Sequence, residues 1–594
     1  MPNTPPFVLL DDATPGRARL TRFANPSDVI EAHGPADVPQ AFAAVAAALA
    51  QGRHVAGYFS YELGYVLECR FAQAASAQPL LWFGVFDHKE EIAGPDAWLA
   101  AASTGRAYAG PLRHEWSAAD YRARFDRVRA YITAGDIYQA NLSFRSRFAF
   151  AGDALAFYGA LRAQSGAAHG AFIDDGTRRI LSLSPELFFA LSADGRIAAR
   201  PMKGTAARGG DAAADESART RLAQSAKDRA ENLMIVDLMR NDLGRIAETG
   251  SVEVPELFAV ETYPTLHQMV SSVTARVRPQ TSVDAVIRAL FPCGSVTGAP
   301  KIRAMEIIRE LEASPRGAYC GAIGYFAPDG SARFNVAIRT ATIAGGEGVL
   351  GIGGAVVQDS DCDAEYAECL LKARYFEAAR RPVALIETLG FTPADGFVRK
   401  ALHLERMARS AEALGIPFDR TAAEAAVRGA VGDKPARVRL TLDESGALAC
   451  TSAAMAAGPS EWSFAISPLR VASTDALARH KIDWRAHLDH EQARLKRELG
   501  ADETIFLNER GEVAEGSRTT VFVQERGRLL TPPLSAGALD GCLRRALIAE
   551  GRCMEATLTP HDLETAEAVY LGNSLRGLIR AVPVERLALS AAGD

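Results

Sequence analysis

The sequence has no CxxC pair among its eight cysteines, Cys69, Cys293, Cys320, Cys362, Cys369, Cys450, Cys542 and Cys553. That argues against a zinc knuckle or a disulfide framework and points to a reducing cytoplasm. It has no long block of one charge: 66 Lys and Arg face 72 Asp and Glu, a formal charge of -6, so the electrostatic footprint of a nucleic-acid binder is missing. No run approaches the ~18 apolar residues of a membrane span, and the opening MPNTPPFVLLDDATPG has neither a basic region nor a long apolar stretch. No internal repeat is evident. A soluble, unprocessed chain acting on small molecules is expected.

At 594 residues the chain exceeds one hydrophobic core, and the usual ~100–200 residues per domain imply at least two. Hydrophobic content of 48% and charged content of 23% are ordinary for a globular protein. Residues 1–110 read as short strands and an Ala-rich helix from Gln40 to Ala50, followed by the core-like aromatic run GYFSYELGY. From Tyr121, strands such as NLSFRSRFAF and ILSLSPELFFAL alternate with long amphipathic helices such as 228–246, a mixed α and β pattern. A helix ends at Arg380–Arg381 and Pro382 precedes a new strand, which places a boundary there. The expected domains are 1–380, with a core of about 115–377, and 381–594. The second is expected to carry helices at 401–414 and 486–499 and strands at 504–508 and 518–523.

Several segments gather groups that a small dianionic ring would need. Glu365, Glu368 and Lys372 fall at i, i+3 and i+7, on one helix face; they can hold a metal and an anion, or form an ordinary exposed pair. GIGGAVVQDS puts glycines after an apolar strand, where backbone N–H groups can approach an anion, or where the chain simply turns. Glu231 and Asp228, one turn apart, are a second carboxylate source for Mg²⁺ or a solvated surface. Lys203 in PMKGT is a lysine whose amine burial could make nucleophilic, or one paired with a carboxylate.

These segments occur together and in order. GDIYQANLSFR, LSPELFF, PMKGT, KDRAENLMIVDLMRNDLGR, TLHQMVSSV, FPCGSVTGAPK, RGAYCGAIGY, FNVAIRTATI, GIGGAVVQDSD and EYAECLLKA span roughly residues 120–376. The region resembles the chorismate-utilising enzymes. That resemblance implies an α/β sandwich around two large antiparallel sheets, Mg²⁺ dependence and chorismate as substrate. It implies Glu231 and Glu368 as metal ligands, with Glu365 adjacent, and Tyr325, Arg339, Lys372, Gly353 and Gly354 as the clamp on the enolpyruvyl carboxylate. Glu186 and His267 are implied as acid/base groups at the C4 hydroxyl, with Thr297 and Gly298 lining the pocket. Gln139 stands where water-adding members carry a lysine, which disfavours water addition. Lys203 matches the members that aminate at C4, where the lysine is thought to attack C2 of the ring. The implied product is 4-amino-4-deoxychorismate, with an anthranilate-forming activity as the alternative. No GxCxG nucleophile elbow is present, so a separate glutaminase subunit is expected to deliver ammonia, with free ammonium as its substitute.

In the last third, HKIDWR, ETIFLNERGEVAEGSRTTVF, TPPLSAGALDGCLRRAL and YLGNSLRGL again follow a familiar order. This part resembles the fold-type IV pyridoxal phosphate enzymes, and among them those that release pyruvate from 4-amino-4-deoxychorismate to leave 4-aminobenzoate. The resemblance implies Lys481 as the lysine that carries the cofactor and moves the C4 proton, and Glu515 as the partner of the pyridine nitrogen. Arg406, Ser517, Thr519, Thr520 and the amides of Cys542 and Leu543 are implied around the phosphate, and Asn573 and Ser574 on the substrate side. A homodimer through this part is implied by analogy. The segment ALIETLGF reads as a short strand without the usual GDGVF-like hairpin, and Ile482-Asp483-Trp484 replaces a common threonine pair. A tail that only binds or dimerises is the alternative there.

Overall fold

The computed structural model describes residues 6–68, 71, 78–103, 105–262, 266–456 and 458–584; Cys69 lies outside the described residues. The chain forms two compact units. One comprises Met1–Ala102, Leu112–Phe148 and Tyr158–Ala379; the other comprises Ser103–Pro111, Ala149–Phe157 and Arg380–Asp594. Two short segments expected in the first domain therefore fold with the second.

The first unit is built on an eleven-stranded and a ten-stranded sheet. In the former, the strand Gln139–Gly152 alternates Leu142, Phe144 and Phe148 with Asn141, Ser143 and Arg145, and all six are buried. A strand covered on both faces carries its polar residues inward, where they need partners. In the ten-stranded sheet, aromatic residues interlock: the Phe59 and Phe83 ring centroids are 4.7 Å apart, as are those of Phe326 and Phe334. The run GYFSYELGY is core, with Tyr58, Phe59 and Tyr61 buried.

Two helices bring charged groups to the first site. Ala226–Gly244 starts at Ser225, whose hydroxyl accepts from the Asp228 amide, and buries Asn232, Ile235, Val236, Met239 and Leu243 at helical spacing. Cys362–Leu371 starts at Asp361, whose carboxylate accepts from the Ala364 amide. The glycines of GIGGAVV do not follow a strand as expected; Gly351, Gly353 and Gly354 lie inside the strand Glu347–Val356.

The second unit has a four-stranded sheet and an eight-stranded mixed sheet. Its first strand corrects the expectation of a short segment without a hairpin. Leu385–Thr392 spans eight residues and pairs with Ala436–Leu442 from Leu385↔Leu442 to Phe391↔Ala436. It then turns back into Gly396–Phe397, with Gly396 at φ 75°. The turn is made by Thr392–Asp395 hydrogen bonds and by contact of the Phe391 and Phe397 rings, so different residues close the same bend. Among the described residues no helix is long and apolar enough to cross a membrane.

Candidate active sites

In the first unit four elements converge on Lys203. It sits on the strand Met202–Ala207, half-buried, and Gly204 beside it takes φ 86°. Burial pushes its amine below the usual lysine range; Glu231, Glu186 and Glu368 oppose that shift, while Lys372 adds to it. The structure thus brings together Lys203, Glu186, Glu231, Glu368 and Lys372. Glu186 is 3% exposed, and its Oε1 has no hydrogen-bond partner among the described residues. Burial pushes its carboxyl up to about 7 against the Ser295 hydroxyl and Lys203. Its backbone is pinned by the Ser184 hydroxyl and by the amide of Val336.

Lys372 donates to Gly353 O and pairs with Glu368 Oε1, both at 2.9 Å. Glu365 Oε1 accepts from Ser360 at 2.8 Å; burial, and the neighbouring Glu368, hold its carboxyl above the ordinary range. At Glu368 burial works against ionisation, but Lys372, Lys203 and Lys227 prevail and lower its pKa. A Cβ at Gly354 would lie 3.5 Å from Glu365 Oε2 and 3.6 Å from Lys372 Nζ, so this backbone faces the charged cluster.

Arg339 is held at φ 51°, and its guanidinium has no partner among the described residues. Burial lowers its pKa, with Tyr375 opposing. The positive φ strains the backbone, not the guanidinium, whose planar fork has the geometry to pair with a carboxylate. Thr297 is fully buried, its hydroxyl donating to Cys293 O and Gly294 O. Gly298 takes φ 154°, where a Cβ would fall 2.1 Å from Gln139 O, so only glycine fits against that strand. Gln139 is fully buried, and both its amide atoms lack partners among the described residues.

Two expected residues have other partners, although His267 lies on the strand that pairs with the Lys203 strand. Tyr325 has its ring 5.8 Å from Phe23 and under the Lys89 ammonium. Tyr319 is instead the tyrosine beside the glycine strand, since a Cβ at Gly351 would lie 2.2 Å from its ring. His267 has both ring nitrogens occupied, Nε2 by Asp215 and Nδ1 by Thr262, each at 2.9 Å. Reasoning from sequence also missed Arg316, whose buried guanidinium ties Glu312, Val296 O and Asn141 O together and braces the loop bearing Thr297.

The second unit presents a different lysine. Lys481 Nζ lies 3.4 Å from Thr388 Oγ1, and burial brings its amine down to about 8; Glu387 opposes this. Arg406, on the helix Lys400–Ala413, grips Glu387 with Nε and Nη2 at 2.8 and 2.6 Å, and donates to Asp540 O. Glu387 also pairs with His403 Nδ1 at 2.5 Å, and His403 Nε2 reaches Ser574 Oγ at 2.8 Å. Glu387, Thr388 and His403 were not singled out from the sequence, although the first two stand in the quoted ALIETLGF segment and His403 lies three residues before Arg406. Glu387, His403 and Cys542 are the only trio of potential metal donors that converges within 4.8 Å among the described residues. Glu387 is already neutralised by Arg406, which makes the trio a poor cation site.

Glu515 is half-buried; its desolvation raises its carboxyl to about 7 despite the Leu539 amide donating to Oε2 at 3.1 Å. The helix Cys542–Ala549 opens at Gly541 with the amides of Cys542 and Leu543, the end of a helix where anions are favoured. Ser517 and Thr519 turn their hydroxyls to Glu503, while Thr520 Oγ1 lies against Gly541. Asn573 Oδ1 accepts from the amides of Leu575 and Arg576.

Residues 5–378 match the chorismate binding enzyme family, and the chain belongs to that family. Residues 384–584 match the class IV amino-transferase family. Aminodeoxychorismate synthase component 1 of Salmonella typhimurium is 41% identical over 333 residues, covering 52% of this chain and 73% of the relative. Anthranilate synthase component 1 of Methanothermobacter thermautotrophicus is 40% identical over 253 residues, covering 43% and 54%. Among solved structures, anthranilate synthase component I from Streptococcus pneumoniae superposes with a TM-score of 0.51 at 23% identity, over 64% of this chain and 94% of that one, a likeness of fold.

Proposed function

We propose that the chain makes 4-aminobenzoate in two steps: it aminates chorismate to 4-amino-4-deoxychorismate in the first unit and releases pyruvate from that product in the second. The observation that carries the reading is Lys203, a desolvated amine set among Glu186, Glu231 and Glu368. An anthranilate-type activity needs no nucleophile there.

In the first step the Lys203 amine bonds to C2 of the ring as the C4–O bond breaks, and Glu186 supplies a proton to the departing hydroxide. A carboxyl with a pKa near 7 holds that proton at neutral pH. Ammonia then bonds to C4, and the C2–N bond breaks to restore the lysine. Arg339, Lys372 and the Gly353–Gly354 backbone orient the enolpyruvyl carboxylate, with Tyr319 replacing Tyr325 beside them. His267 can take part only by releasing Asp215 or Thr262.

Glu231, Glu368 and Glu365 would hold Mg²⁺ once drawn together, since their oxygens do not converge within 4.8 Å here and Glu368 is paired with Lys372. They offer hard oxygen donors, and the burial and like charge that disfavour ionised Glu365 are what a dication relieves. The ion would neutralise the ring carboxylate. Ammonia would come from a separate glutaminase subunit, a reading supported by the "component 1" in the Salmonella relative's name.

In the second unit the half-buried Lys481 and Glu515 and the helix start at Cys542 suit pyridoxal phosphate, which when bound would withdraw electrons and loosen the substrate's C4 proton. Lys481 Nζ would move that proton, and Glu515 would hold the pyridine nitrogen protonated. Arg406 would share its guanidinium between Glu387 and the phosphate. A homodimer through this unit remains part of the proposal by analogy alone.

Incubating the full chain with chorismate, ammonium, Mg²⁺ and pyridoxal phosphate should yield 4-aminobenzoate and pyruvate. Anthranilate as product would overturn the first step, and 4-amino-4-deoxychorismate accumulating without pyruvate would overturn the second.

A further inference from the structure

Ser103–Pro111 precedes the region that matches class IV amino-transferases by more than 270 residues, yet it folds within the second unit. Tyr108 is fully buried in the core cluster that holds Leu385, Leu404 and Trp484. Ala109 O accepts from Arg380 Nε at 2.8 Å. A segment packed this way has a fixed backbone, and its side chains are correspondingly well placed.

Arg106 uses that placement. Its Nε and Nη2 donate to Asp475 Oδ2 at 2.9 and 2.8 Å, and its Nη1 donates to Trp484 O at 2.9 Å. The two partners bracket the short turn Ala476–Arg479 and Lys481 itself. The same stretch is tied to the first strand of the unit by the Ile386 amide donating to Lys481 O at 2.8 Å, and to Ala384 through Asp483 at 3.0 Å. The Lys481 segment is therefore stapled at several points, and Arg106 supplies two of them.

Arg106 also lines a cavity of about 390 Å³ that Glu515, Arg485 and Trp484 share. Arg485 and Arg106 act on Glu515 from the positive side and Glu503 from the negative. The other charged or titratable groups on the cavity wall are Asp475, which pairs with Arg106, His480, which meets Ser410 Oγ at 2.9 Å, His487, and Arg470, which donates to Ser467 O and Pro468 O.

We propose that Arg106 is a positioning residue of the second active site, holding the Lys481 segment through Asp475 and Trp484 O and placing a fixed positive charge on the cavity that Glu515 lines. The proposal rests on the reading of this unit as a pyridoxal phosphate site. A guanidinium suits the task because one planar fork reaches a carboxylate and a carbonyl together, which an ammonium does not.

The test uses the full chain as wild type, Arg106→Gln and Arg106→Lys, each titrated with pyridoxal phosphate. Cofactor affinity, the pH midpoint of the cofactor's visible absorbance, and ammonium-dependent chorismate consumption are measured. Arg106→Gln should weaken cofactor binding ~10-fold or more, the scale of a lost charge-assisted bond, and move the midpoint upward, because loss of a nearby cation favours the protonated state. Arg106→Lys should restore the midpoint but not the affinity. Chorismate consumption should stay within about twofold in both, because the two effects belong to one site. Wild-type affinity and midpoint in Arg106→Gln would overturn the proposal. So would equal losses of every activity in both variants, which would make the residue merely structural. A wild-type chain that takes up no cofactor would overturn the underlying reading, and this inference with it.

Discussion

Lys203 and Lys481 are both amines lowered by burial, but their surroundings balance charge differently. Around Lys203 stand Glu186, Glu231 and Glu368, with Glu365 close to Glu368, and the neighbouring cations are Lys227 and Lys372. Around Lys481 the nearest anion, Glu387, is already gripped by Arg406 and His403, so little negative charge is left over. Under the proposed reading the first arrangement would take a dication and a carboxylated ring. The second would offer an incoming phosphate the helix start at Cys542, with Arg406 sharing its guanidinium. The same desolvation would therefore serve two chemistries in the proposed function, because the ion pairs around it differ.

The sharpest way to break this comparison is to remove each lysine in turn. Lys203→Ala should lower C4 amination on the order of 10³-fold or more, while supplied 4-amino-4-deoxychorismate is still converted. Lys481→Ala should do the reverse, abolishing the cofactor's visible absorbance and pyruvate release. Separate assays of the two steps check both, and a variant that loses both steps would mean the sites are not independent.

Glu186→Gln should cost roughly 10²–10⁴-fold in the first step, the range for a positioned acid. In the wild type that step should decline as pH rises through about 7, where Glu186 gives up its proton; the variant's profile should lack this limb. Initial rates of chorismate consumption from pH 5 to 9 decide the matter.

Glu387→Gln tests the neutralised cluster. It leaves Arg406 buried without its anion, at a cost of roughly 3–5 kcal/mol to the second unit. In the wild type, burial opposes ionisation of Glu387, but Arg406 and His403 pull its pKa down to about 2. A depressed carboxyl pKa stabilises the fold above the ordinary value of ~4.5, and that contribution is lost as pH falls toward 2. Thermal melting across that window should show a steeper acid loss in the wild type than in the variant.

The smallest effect concerns helix placement. Asp361→Ala removes the cap of the helix carrying Glu365 and Glu368 and should cost about 1 kcal/mol, with a modest drop in first-step rate that added Mg²⁺ partly restores. An unchanged melting temperature would show that the cap is dispensable.

Much of this was legible in the sequence because local signals are strong. The 228–246 pattern became Ala226–Gly244, and the Glu365, Glu368 and Lys372 spacing became one helix face. What failed was non-local or irregular. Cys320 takes φ 61°, a bend between Tyr319 and Tyr325 that strand alternation does not reveal, so Tyr325 was expected beside the glycine strand where Tyr319 lies. The Glu387–Arg406 pair joins a strand to a helix, and nothing in either segment announces it. The pairing of Ala107 with Gly152 draws residues 103–111 into the second unit, and its signal is only three residues long.

The most direct test of the central claim is mass spectrometry of the Lys203 peptide after chorismate is added without ammonia. Covalent attack predicts an adduct of chorismate less one water on Lys203, discharged when ammonium is supplied and missing from Lys203→Ala. An unmodified peptide, together with full 4-aminobenzoate yield from Lys203→Ala, would contradict it.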